Sequence, residues 1–526
     1  MVMKKFSVMT AICAIGLMLF GACTKEDPKQ PDGPGKEGNA KLLSYGFFKE
    51  DNAQLDKDYI AEVSEEMIIR LPEAVEKSSL VARFTAEEGN KVFVAGTEQI
   101  SGKTVNDFTY PVDYIVKDET AGLNKKYTVK VGKILTMKWS EVAIYNEAGC
   151  TNDDFAMCIS PKDQTPHLFI LRERLESDAE GAPKLTVGLT ATFKDGVLTA
   201  GKEITYVKDN KTFDDAQYPD ITCDKEGNVY VSYYNYVSSS DYNIFVRKAD
   251  GGLVGEPFCK TKVSNYTQLE VDPVTKHLVS ASYANSAFDQ ILRRGVNLAY
   301  NKSGAWEGEN TVADFSDREV HRTNFYNNGK ALYMGGQLAG KGKEHAYFVY
   351  KYNNGSWDKI INVLPEGMSG AAQLIPSPIA VASDGTAYML AGNDAKENGK
   401  WFIQLMKCTP GSVKWENVGA PIVDNLGNNQ TARYSSYVLE LCNDNPVVVY
   451  LNQDDANKRY PVALTYNKET QAWDPSLKLA DIHVNYSNLK MVADANGTLY
   501  LAFIDGTESN ALHLYKYGME KDDLVE

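Results

Sequence analysis

The chain has 526 residues, 43% hydrophobic and 24% charged, with 40 Gly and 19 Pro. That length can bury a large core spread over more than one domain, and the composition excludes disordered and fibrous classes. The 55 basic and 70 acidic residues leave a net charge of -15, a field that repels phosphates and excludes nucleic acid as a partner. The one long apolar run, 6–20, is shorter than the roughly 20 residues of a spanning helix, so no integral membrane domain is expected.

Lys4 and Lys5 precede that run, and Leu19-Phe20-Gly21-Ala22-Cys23 closes it. A charged start, an apolar middle and a small-residue cut make an export signal over 1–22. The segment ending at Cys23 resembles a bacterial lipobox, with Phe20 where such boxes usually carry Leu. The resemblance implies that the Cys23 thiol is acylated, palmitate-fashion, and anchors the chain to a membrane. Thr24-Lys25-Glu26-Asp27 is similar to the Lys-acid-acid signal of Bacteroidota lipoproteins, which implies an outer-membrane location facing the cell exterior. Residues 23–40, rich in Pro, Gly and charge, read as a flexible tether. Export puts Cys150, Cys158, Cys223, Cys259, Cys408 and Cys442 in an oxidising compartment. Cys150 with Cys158, and Cys223 with Cys259, are near enough in sequence to pair, and buried free thiols are the alternative. Neither these cysteines nor the six His have ligand spacing, so no metal and no cofactor is expected.

From 41 to 133 the pattern alternates with period two, as in Leu80-Val-Ala-Arg-Phe-Thr, Lys91-Val-Phe-Val, Pro111-Val-Asp-Tyr-Ile-Val and Lys126-Tyr-Thr-Val-Lys-Val. These are strands of a small sandwich. The closing pair, Phe108-Thr-Tyr-Pro-Val-Asp-Tyr and Tyr127-Thr-Val-Lys-Val, resembles the immunoglobulin-like spacer modules of Bacteroidota surface lipoproteins.

The remainder, 135–526, repeats itself. A polar turn followed by an apolar strand recurs at Asp224 to Tyr230, Asp272 to His277, Asn327 to Tyr333, Ser383 to Tyr388, Asn443 to Tyr450 and Asp494 to Tyr500, with a weaker copy at Pro161 to His167. Asn, Asp and Gly supply the backbone freedom of a hairpin turn in each copy. A second signature sets a Trp after another polar turn, at Trp306, Trp357, Trp415 and Trp473. The last hairpin lacks that strand, and its partner stands at the front: Lys138-Trp139-Ser-Glu-Val matches Lys414-Trp415-Glu-Asn-Val. Seven hairpins closed by an N-terminal strand predict a seven-bladed β-propeller, a ring that hides its own sheet edges. The expected fold is therefore all-β, a small immunoglobulin-like sandwich followed by that propeller.

Aligning the seven hairpins gives a column just before each inner strand: Phe155, Tyr218, Tyr266, His321, Ile375, Tyr434 and Tyr486. Two places on come Met157, Asp220, Gln268, Thr323, Ser377, Ser436 and Asn488. Strict alternation would put both columns on one side of the strand, as an aromatic and polar rim around a central channel. Aromatic faces beside hydrogen-bonding groups suit sugar rings. The competing reading is that a position repeated in every blade serves packing between blades. Charge has no packing role there, which singles out Arg322, Arg433, Asp153, Asp154, Asp214 and Asp215. The proposed ligand set is Tyr218, Asp220, Tyr266, Gln268, His321, Arg322, Arg433, Tyr434, Tyr486 and Asn488. No HExxH, GxSxG or Walker loop is present, and adjacent acids in loops usually point apart into solvent, so no catalytic residue is assigned.

The chain resembles the accessory binding lipoproteins of Bacteroidota nutrient-uptake systems. That resemblance implies a non-enzymatic protein that captures a glycan or another small nutrient and delivers it to a TonB-dependent outer-membrane transporter with its lid lipoprotein. The rival readings are a glycosidase or lyase acting on polysaccharide, and a propeller that binds a protein partner.

Overall fold

The computed structural model describes residues 39–146, 150–175, 184–204, 216–238, 241–257, 264–284, 296–310, 318–340, 346–366, 377–397, 400–423, 436–484, 489–506, 510–522 and 524. The export signal, Cys23 and nearly all of the tether lie outside that set. The described fold is all-β, and its only helical element is the three-residue 3₁₀ turn Lys77–Ser79. Two compact units form, one from residues up to Leu135 together with Asp522–Glu526, the other from Thr136–Lys521.

In the first unit, one sheet runs Tyr59–Ala61, Leu42–Phe47, Leu80–Ala86, Val105–Asn106; the other runs Glu66–Leu71, Leu123–Lys133, Val112–Asp118, Asn90–Val94, Thr97–Glu98. Alternation does the work the sequence suggested. Val112, Tyr114 and Val116 point inward from one strand, and Tyr127, Val129 and Val131 from its partner. These side chains meet Tyr45, Phe47 and Phe108 in one buried cluster. Tyr45 and Tyr114 pack edge to face at 5.1 Å, as do Phe47 and Phe108 at 4.9 Å. The second unit was expected to continue to 526, but the chain end belongs to the first. Asp522 pairs with Arg70, and Leu524 lies over Gly132, which has no Cβ to exclude it.

Among the described residues the second unit holds seven separate antiparallel sheets. Their first strands in chain order are Cys150–Ile159, Ala216–Cys223, Ser264–Val271, Arg318–Asn327, Ile379–Val381, Tyr437–Cys442 and Lys490–Ala493. Each of these strands neighbours the next, and Lys490–Ala493 also neighbours Cys150–Ile159, so they form a ring. The last sheet takes its fourth strand from the start of the unit: Met137–Tyr145 runs antiparallel to Leu512–Met519, with Trp139 opposite Tyr517. The second sheet has three strands among the described residues, and the chain after Asp250-Gly251 adds one isolated bridge, Arg247 to Leu253.

The turn signature works through a carboxylate. Asp224 Oδ1 accepts from the amides of Glu226 and Asn228, and Asp494 Oδ1 from Asn496 and Thr498; Asp454, outside the seven copies, makes the same turn, its Oδ1 accepting from Ala456 and Lys458. Three residues after each Asp the backbone turns left-handed, at Gly227 (φ 86°), Asn457 (φ 62°) and Gly497 (φ 78°), where Gly and Asn bear the least strain. The Trp signature clasps neighbours. Trp415 Nε1 donates to Tyr347 O at 3.2 Å and Trp473 Nε1 to Ala420 O at 2.9 Å, each on the preceding sheet, and Trp306 Nε1 to Val254 O at 2.8 Å, in the segment that follows the preceding sheet's last strand.

Candidate functional site

The ring of inner strands encloses a cavity of about 880 Å³ to which all seven strands contribute, among them Met157, Asp220, Glu270, Asn324, Ile379, Glu440 and Lys490. Of the proposed ligand residues, Tyr218, Asp220 and Gln268 line it. Tyr266, His321 and Arg322 lie in the strands Ser264–Val271 and Arg318–Asn327, but their side chains are outside the described residues, as are those of Asp153 and Asp154. Arg433, Tyr434, Tyr486 and Asn488, like Asp214 and Asp215, fall wholly outside them.

Strict alternation fails at the predicted rim. The pairing of the inner strand with its neighbour slips between Gln217 and Asp220, between Asn265 and Gln268, and between Val320 and Thr323. Tyr218, Tyr266 and His321 therefore sit in β-bulges, where an extra residue interrupts the two-residue period, so the two columns cannot be assigned to one face by counting in twos. Tyr218 shows the distortion directly, with φ 52°, a left-handed backbone immediately before Pro219. Its ring packs 6.4 Å from that of Tyr234, and its carbonyl accepts from Thr267 Oγ1 at 2.7 Å.

The polar column joins one sheet to the next. Asp220 Oδ2 accepts from the Leu269 amide at 2.7 Å, and Oδ1 from the Ile221 amide at 3.0 Å. Thr323 Oγ1 donates to Gln268 Oε1 at 2.9 Å, and Asn324 Nδ2 to Ser377 O at 2.8 Å. Asp220 and Gln268 thus carry structural hydrogen bonds while facing the cavity.

Deeper in, the cavity holds acids that the sequence reading did not single out. Glu270 Oε1 accepts from Thr222 Oγ1 at 2.6 Å, from the Val271 amide at 3.0 Å and from Asn327 Nδ2 at 3.4 Å. Glu440 Oε2 accepts from the Leu441 amide at 3.1 Å and the Tyr326 hydroxyl at 3.2 Å. Burial pushes all three carboxyls up: Asp220 to about 6 against the pull of Lys490, Glu270 to about 7 with the Asp220 charge adding to the effect, and Glu440 to about 8. Asp220 and Glu270 keep some surface because they border the cavity, whereas Glu440 is only 9% exposed. Counting two residues beyond Asp220, Gln268 and Asn488 reaches Thr222, Glu270 and Lys490, a signal the rim alignment stopped short of. Glu440 stands between Leu439 and Leu441 and gives no such sign.

The cavity wall also brings two thiols together. Cys158 Sγ and Cys223 Sγ are 3.2 Å apart on adjacent inner strands, whereas sequence proximity had suggested Cys150 and Cys259 as their partners. Among the described residues no group of three His, Cys, Asp or Glu is placed to hold a metal ion.

Residues 48–131 match the family model described as SGBP, N-terminal, a group of glycan-binding accessory proteins of Bacteroidetes. Over the first unit, the resemblance to Bacteroidota binding lipoproteins is borne out. No curated protein sequence is similar to the chain. Among solved structures, a Dyadobacter fermentans protein of unknown function is 11% identical, covering 72% of this chain and 99% of its own, with TM-score 0.39. The Aleuria aurantia lectin with α-methyl-L-fucoside is 10% identical over 58% of this chain and 93% of the lectin, TM-score 0.36. The NanB sialidase of Streptococcus pneumoniae is 11% identical over 91% and 92%, TM-score 0.34.

Proposed function

We propose that the chain is a cell-surface lipoprotein that binds a glycan and delivers it to a TonB-dependent transporter and its lid lipoprotein. It is anchored in the outer membrane through Cys23 and faces the exterior. The first unit is an immunoglobulin-like spacer. The second is a seven-bladed β-propeller closed by its N-terminal strand, and the glycan lies at the channel mouth against Tyr218, Tyr266, His321, Arg322, Arg433, Tyr434, Tyr486 and Asn488, with Asp220 and Gln268 behind them. The observation that carries this reading is the SGBP match over residues 48–131. The polar cavity supports it, because carboxyl, amide and hydroxyl groups beside aromatic rings are what sugar hydroxyls and C–H faces bind.

A polysaccharide-active enzyme is the second reading, and one observation favours it: the carboxyls of Glu270 and Glu440 border one cavity, where burial raises both toward the range a general acid needs. Against it, Glu270 Oε1 takes three hydrogen bonds and Glu440 Oε2 takes two, and such bonds hold a carboxyl in place as structure. Isothermal titration of the full chain against a panel of polysaccharides, with chromatography of each sugar afterwards, tests both. Saturable binding with the polysaccharide recovered intact is expected. Shortened chains would establish the enzyme, and no binding to any polysaccharide would overturn the proposal.

A further inference from the structure

We infer that Cys158 and Cys223 form a disulfide that staples the first two inner strands of the ring when the chain folds in the presence of a thiol–disulfide oxidant. Cys158 stands near the end of Cys150–Ile159, and Cys223 ends Ala216–Cys223. Their sulfurs lie 3.2 Å apart, and a disulfide bond is about 2 Å long, so a movement of about 1 Å joins them. Both thiols are buried in one apolar cluster with Ala156, Phe169, Ile221 and Val231, which keeps the pair away from other reagents once folded. Cys408 differs, since its thiol turns to the carbonyls of Thr409 and Ser412.

The chemistry is an exchange with a small or protein disulfide. The Cys158 thiolate attacks one sulfur of the oxidant and releases the other as a thiolate. The Cys223 thiolate then attacks Cys158 Sγ and displaces the second. Two protein thiols lose two electrons and two protons, and the oxidant is reduced to two thiols. Burial raises the Cys158 pKa well above its ordinary value, so the exchange belongs to folding, before the cluster closes. The staple fixes the wall that carries Asp220.

The pairing goes beyond the binding reading, and only its formation in the cell rests on export. The test takes the full chain, reduced and unfolded, and refolds it in a buffer of reduced and oxidised glutathione. Acid quenching, alkylation under denaturing conditions and digestion without reductant then precede mass spectrometry of the peptides. A linked peptide pair joining Cys158 to Cys223 is expected, with Cys408 and Cys442 alkylated. Cys223→Ser should lower the melting temperature by a few degrees, and reductant should lower the wild type equally while leaving the variant unchanged. Cys158 linked to Cys150, Cys223 linked to Cys259, or both thiols alkylated would overturn the inference. Peptide mapping of the chain taken from producing cells separates the two proposals. The linked pair there supports both, whereas free thiols in cells beside a linked pair on refolding would leave the staple standing and count against export.

Discussion

Trp139 faces Tyr517 across the ladder between Met137–Tyr145 and Leu512–Met519, with ring centroids 5.1 Å apart. The two ends of the second unit therefore share one sheet, and neither end can bury its edge alone. Deleting 137–145 should leave Leu512–Met519 with an unpaired edge and convert the protein to aggregate, as size-exclusion chromatography would read. A monomeric, cooperatively unfolding product would contradict closure. Trp139→Ala should cost about 1–3 kcal/mol in urea unfolding, because the ring is only partly buried.

The buried acids set a pH dependence. An ordinary Glu titrates near 4.3 in the unfolded chain, and Glu440 is raised to about 8 in the fold. A raised carboxyl stabilises the fold fully below its unfolded pKa, and that contribution is lost as pH rises through the folded value. Asp220 at about 6 and Glu270 at about 7 act in the same direction. Stability should thus decline between about pH 4 and pH 8 in denaturant titrations taken at several pH values. Glu440→Gln keeps an oxygen for Leu441 and Tyr326 and removes the titration. It should raise stability at pH 8.5 by about 1–3 kcal/mol and flatten the upper part of the curve. An unchanged slope would show that Glu440 is ionised in the fold.

Much of this architecture could be read in the chain because its signals are local. The Asp224 and Asp494 turns need only a carboxylate and the amides that follow it. The match between Trp139 and Trp415 pointed to the strand that completes the last sheet. The site was less legible because its decisive features arise between strands. A bulge at Tyr218 depends on where Asp220 pairs with Ser232, which spacing within one strand does not reveal. Glu440 reads as a core position between two leucines, and only the ring of neighbouring sheets brings Tyr326 to it. Cys158 and Cys223 stand in different sheets, so sequence proximity gave no sign that their sulfurs approach each other.

Anchoring is open to a direct experiment. Cys23→Ala should move the protein from the membrane pellet to the soluble fraction, since the attachment we propose is the lipid on Cys23. Protease added to intact cells should remove the wild-type folded units. Full protection would place them inside the outer membrane and remove the transporter from reach.

Ligand binding can be separated from packing at Tyr218. Its φ of 52° before Pro219 lies in a region that strains any residue except Gly, at about 1–3 kcal/mol. A ring kept there only to pack against Tyr234 would make Tyr218→Gly and Tyr218→Ala both less stable, with sugar affinity unchanged. A ring kept there for a sugar gives a different pair of outcomes. Tyr218→Gly relieves the backbone, so its melting temperature should hold or rise, while affinity falls about 5-fold or more through loss of roughly 1 kcal/mol of stacking. Arg322→Ala and Arg433→Ala should likewise weaken binding without loss of stability. Gln268→Ala should do the reverse, because it leaves Thr323 Oγ1 without its acceptor, a cost of about 1–3 kcal/mol in unfolding free energy. Should Tyr218→Gly, Arg322→Ala and Arg433→Ala all retain wild-type affinity, the channel mouth is not where the glycan binds.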